Sequence, residues 1–290
     1  MLIRKWQAIG LAFLLAPFPA KGTTVVVFVT QNGIVVSSDS KTALRNSDYS
    51  VTGYINQSKF VIIQNRIVIA AIGMSDYRYR IQHYNFLTWV QSLQLSLPTE
   101  ISVDDLTDLI ERESAQTFSE LGISSALSSG ELQEKFPGEP CEIFAHFVIA
   151  GYQNGAPRLY EVAFDIDWNS KALVGPRKVL RYPGDPANYQ IARFGTQEAL
   201  ADFTRRDSYA YKQTAILCPK AITDVAASTY PSIDETVCLS RAFVHIEKNT
   251  NPDEVGGDIR TVRIPPGGMA EEIPSATFSK NRPAQTKYKK

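Results

Sequence analysis

The sequence is short of the residues that mark several specialised classes. Three cysteines in 290 residues exclude a disulfide-dense scaffold. His83, His146 and His245 are the only histidines, and they lack the close spacing of metal ligands. Charge of one sign is missing too. Thirty Lys plus Arg stand against 30 Asp plus Glu, which excludes a strongly basic nucleic-acid binder and a polyacidic protein. The one long apolar run is at the N-terminus, so a polytopic membrane protein is excluded. No G-x-S-x-G, P-loop or Rossmann glycine pattern occurs. What is there is an ordinary globular mixture, 44% hydrophobic and 21% charged, long enough for one large domain or two small ones.

Residues 1–22 read as a secretory signal peptide. Arg4 and Lys5 form the basic region, Ala8 to Phe18 the short apolar core, and Pro17 and Pro19 break any helix. Small residues at Ala20 and Gly22 suit a peptidase. A cut after Ala20 leaves Lys21 and Gly22 ahead of Thr23, and a cut after Gly22 leaves Thr23 first. Losing Arg4, Lys5 and Lys21 takes the basic side chains from 30 to 27 against 30 acidic ones. Export, periplasmic or extracellular, permits a disulfide. Cys218 and Cys238 flank an expected helix pair and could meet, or all three thiols could be buried and free.

From Thr23 the sequence is strand-like. TTVVVFVT and IVVSSDS flank Asn32-Gly33, a strong hairpin signal. KFVIIQ and RIVIAAIG form a second hairpin around Asn65. Helical spacing runs from Asp76 to Leu97, where Pro98 ends it. A second helix follows Ser102 and Asp105, which resemble a capping box. Residues 122–140 read as a loop. EIFAHFVIAGY and RLYEVAFDI turn at Asn154-Gly155, and VGPRKVLRYPG adds strand. Gly195 precedes helical sequence, Ser232 and Glu235 open a helix to about Lys248, and a last strand ends near Ile264. Residues 265–290 read as a flexible tail. Strands, helices, strands, helices and a strand, without repeat or linker, indicate an α+β domain over 23–264.

Thr23 carries the chemistry by its place. It stands at the processing junction and opens the first strand. A free α-amine on a hydroxyl residue has a pKa near ~8 and can take the hydroxyl proton. With Asn32-Gly33 as a two-residue turn, Thr23 pairs with Thr42 and Asp39 with Val26. Asp39 then lies about 10 Å from Thr23, a gap Lys59 could bridge. That lysine would lower the pKa of the amine, and the aspartate would keep the lysine protonated.

These segments, GTTVVVFVTQNGIVVSSDS and KFVIIQNRIVIAAIG with Ser75-Asp76 after it, resemble the start of a proteasome β-subunit, an N-terminal-nucleophile hydrolase. The resemblance is clear over 22–76 and continues in order through 143–164, 194–200 and 253–264. It implies a four-layer α/β/β/α sandwich of two mainly antiparallel sheets. By position it implies processing at Gly22-Thr23, Thr23 as nucleophile, Asp39 and Lys59 as its supporting pair, and the Gly73 N–H as oxyanion donor. Thr42 and Ala43 would pair with a substrate strand, Ala71 would floor the specificity pocket, and Thr196 and Asp253 would support the site. The sequence departs from the family in having Gly256 for a usual serine, Thr196 for another, and a longer 40–58 loop. Family members are usually cytosolic rings served by an ATPase. An exported chain would have no such partner, although a homo-oligomer remains compatible.

The resemblance implies no cofactor and no metal. It implies an amide-cleaving threonine hydrolase acting through an acyl-enzyme on a peptide. A small-amide amidase and a non-enzymatic binding protein on the same scaffold are the alternatives.

Overall fold

The structure, a computed structural model, describes residues 23–45, 51–79, 82–132, 141–182, 190–195, 200–201, 203, 205–226 and 231–275. Gly22 and Thr196, expected at the processing junction and as a supporting residue, lie outside them, as do residues 276–290 of the expected tail.

The first strands are β1 (Thr24–Thr30) and β2 (Gly33–Asp39). β3 (Lys41–Arg45) and β4 (Val51–Asn56) follow, then β5 (Phe60–Ile63) and β6 (Ile67–Gly73). A small hairpin, β7 (Asp76–Tyr79) and β8 (Gln82–Asn85), leads into the helices α1 (Phe86–Ser96), α2 (Val103–Glu120) and α3 (Ile123–Ser128). Next come β9 (Cys141–Gln153), β10 (Ala156–Asp167), β11 (Ala172–Tyr182) and β12 (Gln190–Gly195). Helices α4 (Tyr209–Leu217), α5 (Pro219–Ala226) and α6 (Ile233–Thr250) precede β13 (Ile259–Ile264) and β14 (Glu271–Ile273).

These elements build the expected sandwich. One antiparallel sheet has the order β12-β1-β2-β13-β14, the other β11-β10-β9-β6-β5. Val25, Val27, Val36, Val68, Ala70 and Val148 fill the space between the sheets. The outer face of the second sheet packs Phe144, Phe147 and Phe164 against Val90, Leu106, Ile110 and Phe118 of α1 and α2. The outer face of the first packs Val26, Phe28 and Val35 against Ala210, Phe243 and Val244 of α4 and α6. Each strand of β1 and β2 is therefore covered on both sides, which explains its nearly unbroken apolar run.

Turn and cap chemistry holds in most places. Asn154 and Gly155 have φ of 52° and 76° and join β9 to β10, as the paired positive φ values of a tight hairpin require. Gln64 and Asn65 do the same between β5 and β6. Ser102 accepts from Asp105 N at 3.0 Å and starts α2. Ser232 and Glu235 form a full capping box at α6. Cys218 and Cys238 are joined in a disulfide, and Cys141 is free.

Five expectations need correction. The first hairpin turns at Gln31-Asn32, because Thr30 pairs with Gly33 and Val25 with Ser38. Gly33, just past the turn, has φ +147°, and a Cβ there would meet Ile233 Cδ1 at 2.5 Å. The glycine thus serves a close helix contact instead of a central turn position. The helix expected from Asp76 starts only at Phe86; the residues before it alternate polar and aromatic types and form β7 and β8. The 40–58 loop contains the β3–β4 pair, and the 122–140 loop contains α3. The expected tail contributes β14, which pairs with β13. Buried Arg241 of α6 fastens it: Nη2 donates to the carbonyls of Ile273 at 2.8 Å and Pro274 at 2.6 Å, and Nε to Thr261 Oγ1 at 3.0 Å.

Candidate active site

The corrected register brings the site together. Extending it by one residue sets Asp39 opposite Thr24, not Val26, and Thr24 N donates to Asp39 Oδ1 at 3.0 Å. Asp39 therefore lies beside Thr23, and no 10 Å gap remains. Lys59, just before β5, reaches it from the other sheet. Its Nζ donates to Thr23 Oγ1 at 2.9 Å and to the two Asp39 oxygens at 2.9 and 3.0 Å. Asp39 is 0% and Lys59 2% exposed, and Thr23 is buried. Burial pushes the Lys59 ammonium below the usual lysine value, Asp39 opposes that shift, and the charge of Lys41 adds to it.

Asp39 has a further donor that the sequence reading did not assign: Gly256 N, at 3.2 Å from Oδ2. The turn between α6 and β13 delivers it. Ser40 N and Lys41 N donate to Gly256 O at 3.2 and 3.0 Å, and Asp258 N donates to Ser40 Oγ at 2.7 Å. Asp253, expected as a supporting carboxylate, is exposed in this turn. Among the described residues, no hydrogen bond of Asp39 or Lys59 involves its side chain. Its carbonyl accepts from Lys41 Nζ at 2.7 Å. The backbone of the turn supports Asp39 through the Gly256 N–H.

Gly195 is another residue the sequence reading placed differently. It ends β12 opposite Thr24 with φ +80°. A Cβ there would lie 1.7 Å from Thr23 O and 3.4 Å from Ile72 Cγ2. Only glycine lets β12 pass this close to Thr23. The cue in the sequence, a glycine before helical residues, points instead to a helix start.

β6 aligns the remaining candidates. Ala71 N donates to Lys59 O at 2.8 Å, so Ala71 stands directly across from Lys59. Ala71 is buried beside Met74 and Tyr77. Gly73 lies two residues further, about 7 Å along the strand. It is exposed, at the strand end, with φ +83°. A Cβ there would meet Phe144 O at 2.6 Å. Thr42 and Ala43 pair with Ile55 and Tyr54 of β4, and no described strand pairs with the other edge of β3. Thr42 is buried, and its Oγ1 has no hydrogen-bond partner among the described residues.

A second buried polar cluster lies one strand away. His146 of β9 pairs across from Ile72. Its Nδ1 is 2.8 Å from Glu161 Oε1 and its Nε2 2.8 Å from Asp165 Oδ1. Burial works against a charged ring, but the hydrogen bonds to Asp165 and Glu161 outweigh it and raise the His146 pKa. Glu161 also pairs with Arg181. His146 and Arg181 hold it down to about 2 despite burial. Among the described residues, no group of His, Cys, Asp and Glu is arranged to hold a metal.

No family model matches the chain, and no curated protein matches it. Among solved structures it is similar to the Anbu (Gly-1) mutant from Hyphomicrobium sp. strain MC1, at 16% identity and a TM-score of 0.44, with 89% of each chain covered. A likeness at that level says nothing of chemistry, so the reading of the site rests on Thr23, Asp39, Lys59 and the backbone that holds them.

Proposed function

We propose that this chain is an exported hydrolase of amide bonds whose mature N-terminal residue, Thr23, is the nucleophile. The observation that carries the reading is Lys59 Nζ, buried and hydrogen-bonded to both Thr23 Oγ1 and Asp39. A core lysine held to a hydroxyl at a strand start has no evident packing role. Cutting between Gly22 and Thr23 exposes an α-amine next to that hydroxyl. The Lys59 charge lowers the amine pKa by repulsion, so the neutral amine accepts the Oγ1 proton. Asp39 keeps Lys59 charged against the effect of burial. The alkoxide attacks the amide carbonyl, and the Gly73 N–H stabilises the oxyanion, an interaction worth about 3–4 kcal/mol at such sites. The amine then protonates the leaving nitrogen, and it later activates the water that hydrolyses the ester.

A peptide substrate is favoured over a small amide by the edge of β3 at Thr42 and Ala43, which no described strand pairs with and where an extended chain can add as a strand. Export is supported by the Cys218–Cys238 disulfide, a bond that oxidising compartments sustain. The test is intact mass of the exported protein, followed by hydrolysis of a panel of fluorogenic peptides and small amides. The expected results are a chain beginning at Thr23 and loss of turnover in Thr23→Ala. Full activity in a stable form beginning at Lys21, or in Thr23→Ala, rejects the mechanism.

A further inference from the structure

We propose that Lys41 is a positioning residue for this site, holding the α6–β13 turn so that Gly256 N–H meets Asp39. The inference rests on the function proposed above.

Lys41 leaves β3 two residues after Asp39 and turns back over the turn that follows α6. Its Nζ donates to Pro252 O at 2.9 Å and Asp253 O at 2.7 Å, and it stands 4.2 Å from the centre of the Tyr54 ring. Its own backbone N–H donates to Gly256 O. One residue thus grips the turn at three carbonyls, the last belonging to the residue whose N–H reaches Asp39.

The fit between Lys41 and Gly256 extends to their volume. A Cβ at Gly256 would lie 2.9 Å from Lys41 Cδ, 3.5 Å from its Cβ and 3.7 Å from its Cγ. The lysine methylenes occupy the space that any side chain at 256 would need. Gly256 and Lys41 are therefore a matched pair.

Lys41 also reaches the chemistry through charge. The groups that face Lys59 are Asp39 from β2, Lys41 from β3 and the Thr23 hydroxyl ahead of β1. Lys41 makes the Lys59 proton easier to lose. Removing that charge lets Lys59 keep its proton to higher pH.

The experiment measures acylation of the mature protein by an electrophilic β-lactone, read by intact mass across a pH series. Thr23 Oγ attacks the lactone carbonyl, the ring C–O bond breaks, the freed oxygen takes the proton, and the protein gains the whole mass of the lactone. The expected result is that Lys41→Met acylates about 10- to 100-fold more slowly, the scale of a small misplacement of reacting groups. Its alkaline limb should move to higher pH. Lys41→Arg, still a cation able to donate to both turn carbonyls, should recover most of the rate and the original limb. Should Lys41→Met not fold, Lys41→Gln carries the charge part of the test, the displaced alkaline limb, since it keeps N–H donors and loses the charge. A wild-type rate and profile in the neutral variants, with Thr23→Ala unreactive, overturns the role of Lys41 and leaves the proposed function standing. A slower rate with an unmoved limb and no recovery in Lys41→Arg also overturns it, since that pattern marks a merely structural lysine. Acylation of Thr23→Ala at the wild-type rate defeats the proposed function, and the role of Lys41 with it.

Discussion

Asp39 and Lys59 should be unequal in what their loss costs, and the difference is measurable. Asp39 accepts from Lys59 Nζ, Thr24 N and Gly256 N inside the protein, at 0% exposure. Asp39→Ala leaves a lysine buried without its carboxylate and two backbone N–H groups short of an acceptor. Breaking a buried pair from one side typically costs about 3–5 kcal/mol. An independent ceiling comes from the proton. A stranded Lys59 can shed its charge, and neutralising a lysine of ordinary value 10.5 at pH 7 costs about 5 kcal/mol. The two figures agree. Lys59→Met is milder, since Asp39 keeps both backbone donors and its hydrogen bonds to them. About 1–3 kcal/mol is expected there.

The sign with pH follows. With its folded pKa depressed, Lys59 binds fewer protons folded than unfolded between its folded pKa and 10.5. Stability therefore rises with pH across that window, and more steeply in Asp39→Ala than in the wild type. Urea unfolding of the mature protein at pH 7 and near 9, followed by tryptophan fluorescence, measures this. The double variant Asp39→Ala/Lys59→Met should be more stable than Asp39→Ala alone at pH 7, because no unpaired charge remains. Equal costs for the two single variants, or strict additivity in the double, would refute the reasoning.

Three further outcomes are expected. Cys238→Ser removes a cross-link spanning 20 residues of sequence and should cost about 3 kcal/mol, seen as a lower melting temperature that reductant reproduces in the wild type. The His146 pKa is raised, so its contribution is complete below 6.5 and is lost as pH rises through the folded value; His146→Gln should flatten that part of the stability–pH curve. Gly73→Ala must hold φ +83° and fit a Cβ 2.6 Å from Phe144 O, so both melting temperature and amide hydrolysis should fall, with turnover lost even where the variant stays folded.

Much of the architecture was legible because local and global signals agree. The apolar runs of β1, β2 and β6, the Asn154-Gly155 turn, and the Ser102 and Ser232 caps state their structure in a few residues. The misreadings arose where a local signal had another use. Asn32-Gly33 has the composition of a two-residue turn, yet its glycine is needed one position on, beneath Ile233. That shift moved Asp39 next to Thr24, so the sequence reading named the right neighbours and misjudged their separation. The helical spacing from Asp76 runs through residues that form a short hairpin instead, whose Tyr77 and Tyr84 pack on the aromatic core. Gly195, Lys41 and Gly256 could not be assigned from sequence at all. Their roles depend on backbone approaches between segments more than 150 residues apart, which no local pattern encodes.

The hold of Arg241 on the last described strand bears on how the chain tolerates shortening. Its guanidinium sits inside the protein and, among the described residues, faces no carboxylate; two of its acceptors are carbonyls of Ile273 and Pro274. Trimming the C-terminus back to Ile264 removes both and leaves a cation inside the protein with one hydroxyl. The helical layer of α4 to α6 would then carry a defect far from the cut, on the helix that leads into the Gly256 turn. What resembles a dispensable end by composition is in that sense part of the foundation under Asp39, and a cut that spares Arg241 leaves Ile273 and Pro274 in place.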